Sequence, residues 1–127
     1  MEIDKKEFDK LAEQAYQNIP AHFRNEIENV IIVIELNPPE KYSDGGILLG
    51  LYEGVPKIAP VSVFRGIQPS KITLFQSTIQ SYVKNIDQLG KLIQEVLMHE
   101  VAHYFGYNDQ QLVYMDAKLR QKLGWKD

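Results

Sequence analysis

HEVAHYFGYND, His99 to Asp109, sets two histidines four residues apart with a glutamate directly after the first. A glycine follows three residues after the second histidine, and an aspartate three beyond that. Imidazoles one helical turn apart share a face and can grip one metal ion. The glutamate between them can serve as general base toward a metal-activated water. The segment therefore predicts a metal-dependent hydrolase built on a helix. Gly106 predicts where that helix ends, because a left-handed residue closes many helices and glycine adopts that conformation at least cost. A turn there carries Asp109 back toward the imidazoles. His99, His103 and Asp109 are then the expected ligands of one zinc ion, with a fourth position left for water. A second reading of Asp109 stays open: it can cap the final helix, as Asn108 with Gln111 also can.

The residues before the motif support a helix that faces inward. Advancing about 100° per residue from Leu89, Leu92, Ile93 and Val96 join Leu89 in one apolar stripe. Lys91, Glu95, Met98 and Ala102 fall opposite. His99, Glu100 and His103 continue the stripe. Ionisable groups on an inward face cost several kcal/mol unless they find partners, by the rough scale of polar burial. A metal ion in a cleft supplies such a partner for both imidazoles.

The rest of the chain predicts a small α+β domain. Phe8, Leu11, Ala12, Ala15, Tyr16 and Ile19 recur at helical spacing, with Asp4 and Glu7 as a capping box and Pro20 as the stop. VIIVIEL (Val30 to Leu36) is β-branched and ends at Asn37-Pro38-Pro39, which predicts a buried strand. SDGG (Ser43 to Gly46) reads as a turn before a second strand in ILLGLYEG, and KITLFQSTI (Lys71 to Ile79) as a third, with KITLFQ expected as an edge strand beside the motif helix that an extended peptide can join. Residues 55 to 70 read as loop, with a short strand at Val61 to Phe64. The motif helix is expected from Asn85 or Asp87 to Phe105, and a last amphipathic helix from Gln110 to Leu123. The fold class is therefore a compact domain over 1–127: a small mixed sheet against the motif helix, with helices at both ends.

Composition narrows the class further. The 127 residues are 44% hydrophobic and 24% charged, ordinary values for one globular domain. A net charge of −3 offers no electrostatic footprint for nucleic acid or anionic membrane. With no cysteine, thiolate ligands and disulfides are excluded, so a metal must use His, Asp or Glu. MEIDKKEFDK is too polar for a signal peptide, and no apolar run can span a bilayer, so a cytoplasmic protein is expected. His22 and Arg65 read as solvated side chains, and Tyr104, Tyr107 and Tyr114 as packing. Leu112, Met115, Leu119 and Leu123 read as the buried stripe of the last helix.

HExxHxxGxxD resembles the zincin metallopeptidases in which an aspartate takes the place of a third histidine. More of the chain resembles a family of small bacterial zincin-like proteins. The matching pieces are FDKLAEQAYQNIP, VIIVIE with NPPE, LLGLYEGVP, KITLFQ and LMHEVAHYFGYNDQQL. That resemblance implies a zincin-like fold, zinc on His99, His103 and Asp109, Glu100 as base, and a peptide or protein substrate. Met115, six residues past Asp109 in a helical pattern, does not match the methionine turn of larger metzincins. Two other functions are compatible with these residues. One is a non-catalytic scaffold that binds a partner. The other is a metal-dependent endoribonuclease, whose HxxxHxxGxxH pattern normally lacks the glutamate and ends in GYDH rather than GYND.

Overall fold

The computed structural model describes residues 2–27, 29–39, 48–54 and 70–106, except for the His22 side chain. The expected turn at 43–46, the strand at 61–64, Arg65, Asp109 and the helix over 110–123 lie outside the described residues. Helix α1 (Lys5–Gln17) and the short α2 (Ala21–Arg24) lead into β1 (Val30–Glu35). Strand β2 (Gly50–Glu53) and strand β3 (Ser70–Phe75) follow, then α3 (Gln76–Gln80) and α4 (Ile86–Tyr104). No helix among these residues is long and apolar enough to cross a membrane.

The sheet is mixed, in the order β1-β3-β2. β1 runs parallel to β3, from Val30 beside Ser70 to Glu35 beside Phe75. β2 runs antiparallel to β3, from Gly50 beside Leu74 to Glu53 beside Lys71. The Lys71–Glu53 pair closes that ladder with an exposed ion pair at 3.7 Å. Two expectations change here. VIIVIE is not a buried strand but an edge strand among the described residues, and Ile31 is 47% exposed. KITLFQ is not an edge strand: β3 lies in the centre, with β1 and β2 on either side.

The third strand is also shorter than its sequence suggests, ending at Phe75. The cause is a pair of amides. As helical neighbours, Gln76 and Gln80 bring their side chains together at 3.1 Å. Gln76 also donates to the Ile3 carbonyl at 3.0 Å, and the Ile3 N–H donates to Gln80 at 3.3 Å. In an extended strand these two residues lie roughly 13 Å apart and cannot share a partner.

Helix α1 starts where Asp4 accepts the Glu7 N–H at 2.8 Å. It buries Phe8, Ala12 and Ala15. Its last carbonyls are covered by Arg24, which donates to Gln17 at 2.6 Å and to Ile19 at 3.2 Å. Helix α4 begins at Asn85, which accepts the Gln88 N–H at 2.9 Å, while Gln88 accepts from Lys84. α4 packs against α1 as well as against β2 and β3. Leu89, Ile93 and Leu97 are wholly buried, worth roughly 2 kcal/mol each. The expected single stripe is too narrow, because the helix has a second covered side. Gln94, Leu97 and Val101 are buried, and Gln94 donates to the Ala15 carbonyl of α1 at 2.9 Å. Ala102, expected on the outer side, is only 5% exposed.

Gly50 lets β2 approach α4. A Cβ there would stand 2.8 Å from the Val96 Cγ1 and 3.3 Å from the Glu100 Cγ. Gly90, in the same helix, has nothing within 4 Å of an added Cβ. Replacing Gly90 with alanine is expected to stabilise the fold by up to about 1 kcal/mol, since helix propensity improves with no clash. Gly50→Ala is expected to cost about 1–3 kcal/mol through overpacking. Urea unfolding of both variants checks the opposite signs.

Candidate metal centre

The second half of α4 carries His99, Glu100 and His103. The rings of His99 and His103 have centres 5.2 Å apart and planes inclined at 62°. Both side chains are half-buried. Two imidazoles sharing one tetrahedral zinc at about 2.0 Å per nitrogen have ring centres about 5 Å apart. The spacing of the pair therefore fits a shared ion. The donor chemistry fits too, because imidazole and carboxylate are ligands zinc accepts, and the chain has no cysteine to offer instead. Among the described residues no group of three potential ligands forms. The expected third ligand, Asp109, lies beyond them.

Glu100 is the only carboxylate buried among the described residues, at 8% exposure. Its methylene stem lies beside Gly50 on β2. No buried side-chain polar atom among the described residues lacks a hydrogen-bond partner. The helix position of Glu100 explains its burial. It falls between the Val96 and Ile93 directions of the wheel, on the side facing the sheet, whereas the histidines sit at the margin of that side.

The last turn of α4 is held from outside. Phe105 packs against Phe23 of α2 with ring centres 5.7 Å apart, and against Tyr104 at 5.2 Å. Gly106 has φ 90°, and its N–H donates to the His103 carbonyl at 2.9 Å. The chain thus leaves the helix one turn after His103, as the sequence predicts. Tyr104 is buried and meets Tyr52 of β2 edge-on at 6.3 Å. The Tyr52 hydroxyl donates to the Ser70 Oγ at 3.0 Å. Burial pushes the Tyr52 phenol above its usual pKa; the Ser70 hydrogen bond opposes the shift, and Tyr104 adds to it. Tyr52 therefore stays protonated, and Tyr104 is buried between the Tyr52 and Phe105 rings.

A cleft of about 280 Å³ opens beside the motif, lined by Leu48, Leu49, Gly50, Leu92, Glu95, Val96, His99 and Glu100. One wall is β2 and the residues leading into it, which are fixed where the Phe75 N–H donates to the Leu49 carbonyl at 3.0 Å. The other wall is α4. The sequence reading missed this β2 wall and the place of Glu95 on the α4 side of the cleft. A signal existed: Gly50, interrupting the apolar run ILLGLY, marks a close backbone approach. A larger cavity of about 590 Å³ lies between α1 and β1 and touches neither histidine.

Three comparisons bear on this arrangement. A conserved hypothetical protein from Thermus thermophilus superposes with a TM-score of 0.53. It is 18% identical, with 88% of this chain and 99% of that chain covered, so the two share a fold. No curated protein matches the chain. The family model described as zincin-like metallopeptidase matches residues 27–119. Zinc binding and peptidase chemistry are general properties of that family. The matched span runs from the start of the sheet through the cleft and past the whole of α4, and on that ground the chain belongs to the zincin-like metallopeptidase family.

Proposed function

We propose that the chain, as one domain over 1–127, is a cytoplasmic zinc-dependent peptidase with His99, His103 and Asp109 as metal ligands and Glu100 as general base. The observation that carries this reading is the pairing of two imidazoles 5.2 Å apart with a buried carboxylate beside the same cleft. When bound, one zinc ion would lower the pKa of a water and polarise the scissile carbonyl.

The residues divide the remaining work. The two imidazoles would hold the ion, and Asp109, three residues after Gly106 in sequence, would complete the set. Glu100 accepts the proton of the attacking water and delivers it to the leaving amine nitrogen, so one carboxylate serves both halves of the reaction. Its place against β2 limits its freedom and keeps bulk water from one side of the carboxylate. The peptide lies extended along the outer edge of β2, which pairs only with β3 among the described residues. β2, rather than β3, is the strand that borders the cleft.

Two outcomes follow from these roles. Purified protein is expected to hold one zinc ion per chain by mass spectrometry, and His99→Ala or Asp109→Ala to lose it. A full zinc load in Asp109→Ala would remove the aspartate from the ligand set. Glu100→Gln is expected to retain zinc and fold while cutting kcat on a cleaved peptide by about 10²–10⁴. An unchanged kcat in that variant would assign the proton transfer elsewhere. A zinc-loaded wild type that cleaves no member of a peptide library would favour the non-catalytic scaffold.

A further inference from the structure

The two imidazoles are not equally placed along α4. His103 stands in the last turn of a helix that ends at Tyr104, while His99 lies a full turn deeper. Helix ends open at little cost in free energy, so a last turn left to itself spends part of its time unwound. A metal ion that needs both imidazoles in register binds only the wound form. Its apparent Kd rises as the wound fraction falls. Whatever keeps this turn wound therefore bears on metal affinity. The turn is closed by the N–H groups of Phe105 and Gly106, which donate to the Val101 and His103 carbonyls at 3.1 and 2.9 Å.

Phe105 is also gripped through its side chain. Its ring meets Phe23 at 5.7 Å between centres, with planes inclined at 57°, a separation at which aromatic rings attract. Phe105 follows His103 by two residues, roughly 200° round the helix at about 100° per residue. The grip thus acts on the turn from the side away from the imidazole. Phe23 is itself a fixed point. Its helix, α2, is only four residues long, too short to persist by itself. The Phe23 and Arg24 N–H groups both donate to the Pro20 carbonyl, at 2.9 and 3.0 Å. The Arg24 guanidinium reaches back to the Gln17 and Ile19 carbonyls, and Ile19 is part of the core. The Phe23 ring is referenced to the end of α1 and to the core rather than to α4. Phe105 also lies in the chain between His103 and Asp109, so holding it bears on both.

We propose that Phe23 is a positioning residue for the metal centre: acting through Phe105, it keeps the last turn of α4 wound and raises the affinity for zinc. The proposal rests on the reading of His99 and His103 as zinc ligands and adds the remote residue that sets how tightly they hold the ion. Coupling between two sites is reciprocal, so zinc on α4 must in turn steady α2.

The test reads metal affinity rather than turnover. The zinc Kd of the full-length protein is measured by competition with a chelating dye, well below the unfolding temperature. Phe23→Ala is expected to weaken zinc binding about tenfold, the scale on which outer partners of a ligand act, and Phe23→Leu to weaken it less. Phe23→Tyr, which keeps the ring, is expected to bind as the wild type does. Val83→Ala is the control for lost stability. It removes a buried side chain near the other end of α4, roughly 25 Å from His103 by the helical rise, and is expected to lower the unfolding temperature without changing the Kd. Amide exchange followed by NMR gives a second reading. Without metal, Phe23→Leu is expected to speed exchange at Phe105 and Gly106. Zinc is expected to slow exchange in α2 of the wild type. If Phe23→Ala does not fold, Phe23→Leu and the exchange rates decide. Wild-type affinity in the alanine and leucine variants, or an equal loss in Val83→Ala, would overturn the brace and leave the ligand reading intact. Weakened zinc binding in a protein that cleaves no peptide would keep the brace and remove the peptidase reading. A wild type that takes up no zinc would overturn both.

Discussion

The contact between β2 and α4 at Gly50 is the constraint on which the site depends. Helix α4 has to serve two purposes with one cylinder. One side closes the core against β3 and α1, and the adjoining flank carries two half-buried imidazoles, of which His99 lines a cleft. The border between these regions is set by how near β2 comes to the helix. A side chain at position 50 would meet Val96 and Glu100 before the strand reached its present place. Glycine removes that obstacle, and the approach buries Glu100 while leaving His99 and His103 half-exposed.

Holding a carboxylate in such a place carries a cost. Desolvating an ionisable side chain is unfavourable by several kcal/mol on a rough scale unless partners replace the lost water. The surrounding apolar burial has to offset it. Leu89, Ile93 and Leu97 of α4, with Ile72 and Leu74 of β3 and Phe8 of α1, form one continuous cluster that does so. The hydrogen bonds that Gln94 donates to α1 and Gln76 to the Ile3 carbonyl, with the one Gln80 accepts from the Ile3 N–H, lock the layers at defined spacing. A core held this firmly lets the cleft at its margin keep its shape. That matters for catalysis, because small displacements of a reacting group cost large factors in rate.

The aromatic ring contacts at the end of α4 extend the same logic. His103 sits in the final turn, where a helix frays most readily. Phe105 against Phe23, and Tyr104 against Tyr52, tie that turn to α2 and β2. Gly106 then releases the chain from the helix. His103 is thus steadied by aromatic rings of α2 and β2.

Much of this was legible in the residues alone, because local periodicity and capping chemistry act over short distances. The caps at Asp4 and Asn85, the extent of α4, the helix stop at Gly106, the facing imidazoles and the α+β class all follow from spacing within single segments. Family-level resemblance in the pieces around HExxH pointed the same way. What the sequence by itself could not decide was which segments become neighbours. VIIVIE is the most apolar strand, yet among the described residues it takes the edge, while β3, with a lysine and a threonine, takes the centre. Strand order depends on pairings between residues some 20 to 40 positions apart, and hydrophobicity does not encode them. For the same reason one helix wheel showed one stripe where α4 has two covered sides, and β3 yielded to α3 where two glutamines found the N-terminal backbone. The imidazole pair belonged to the sequence; the cleft beside it, with β2 as one wall and Glu95 on the other, was decided only when distant segments packed together.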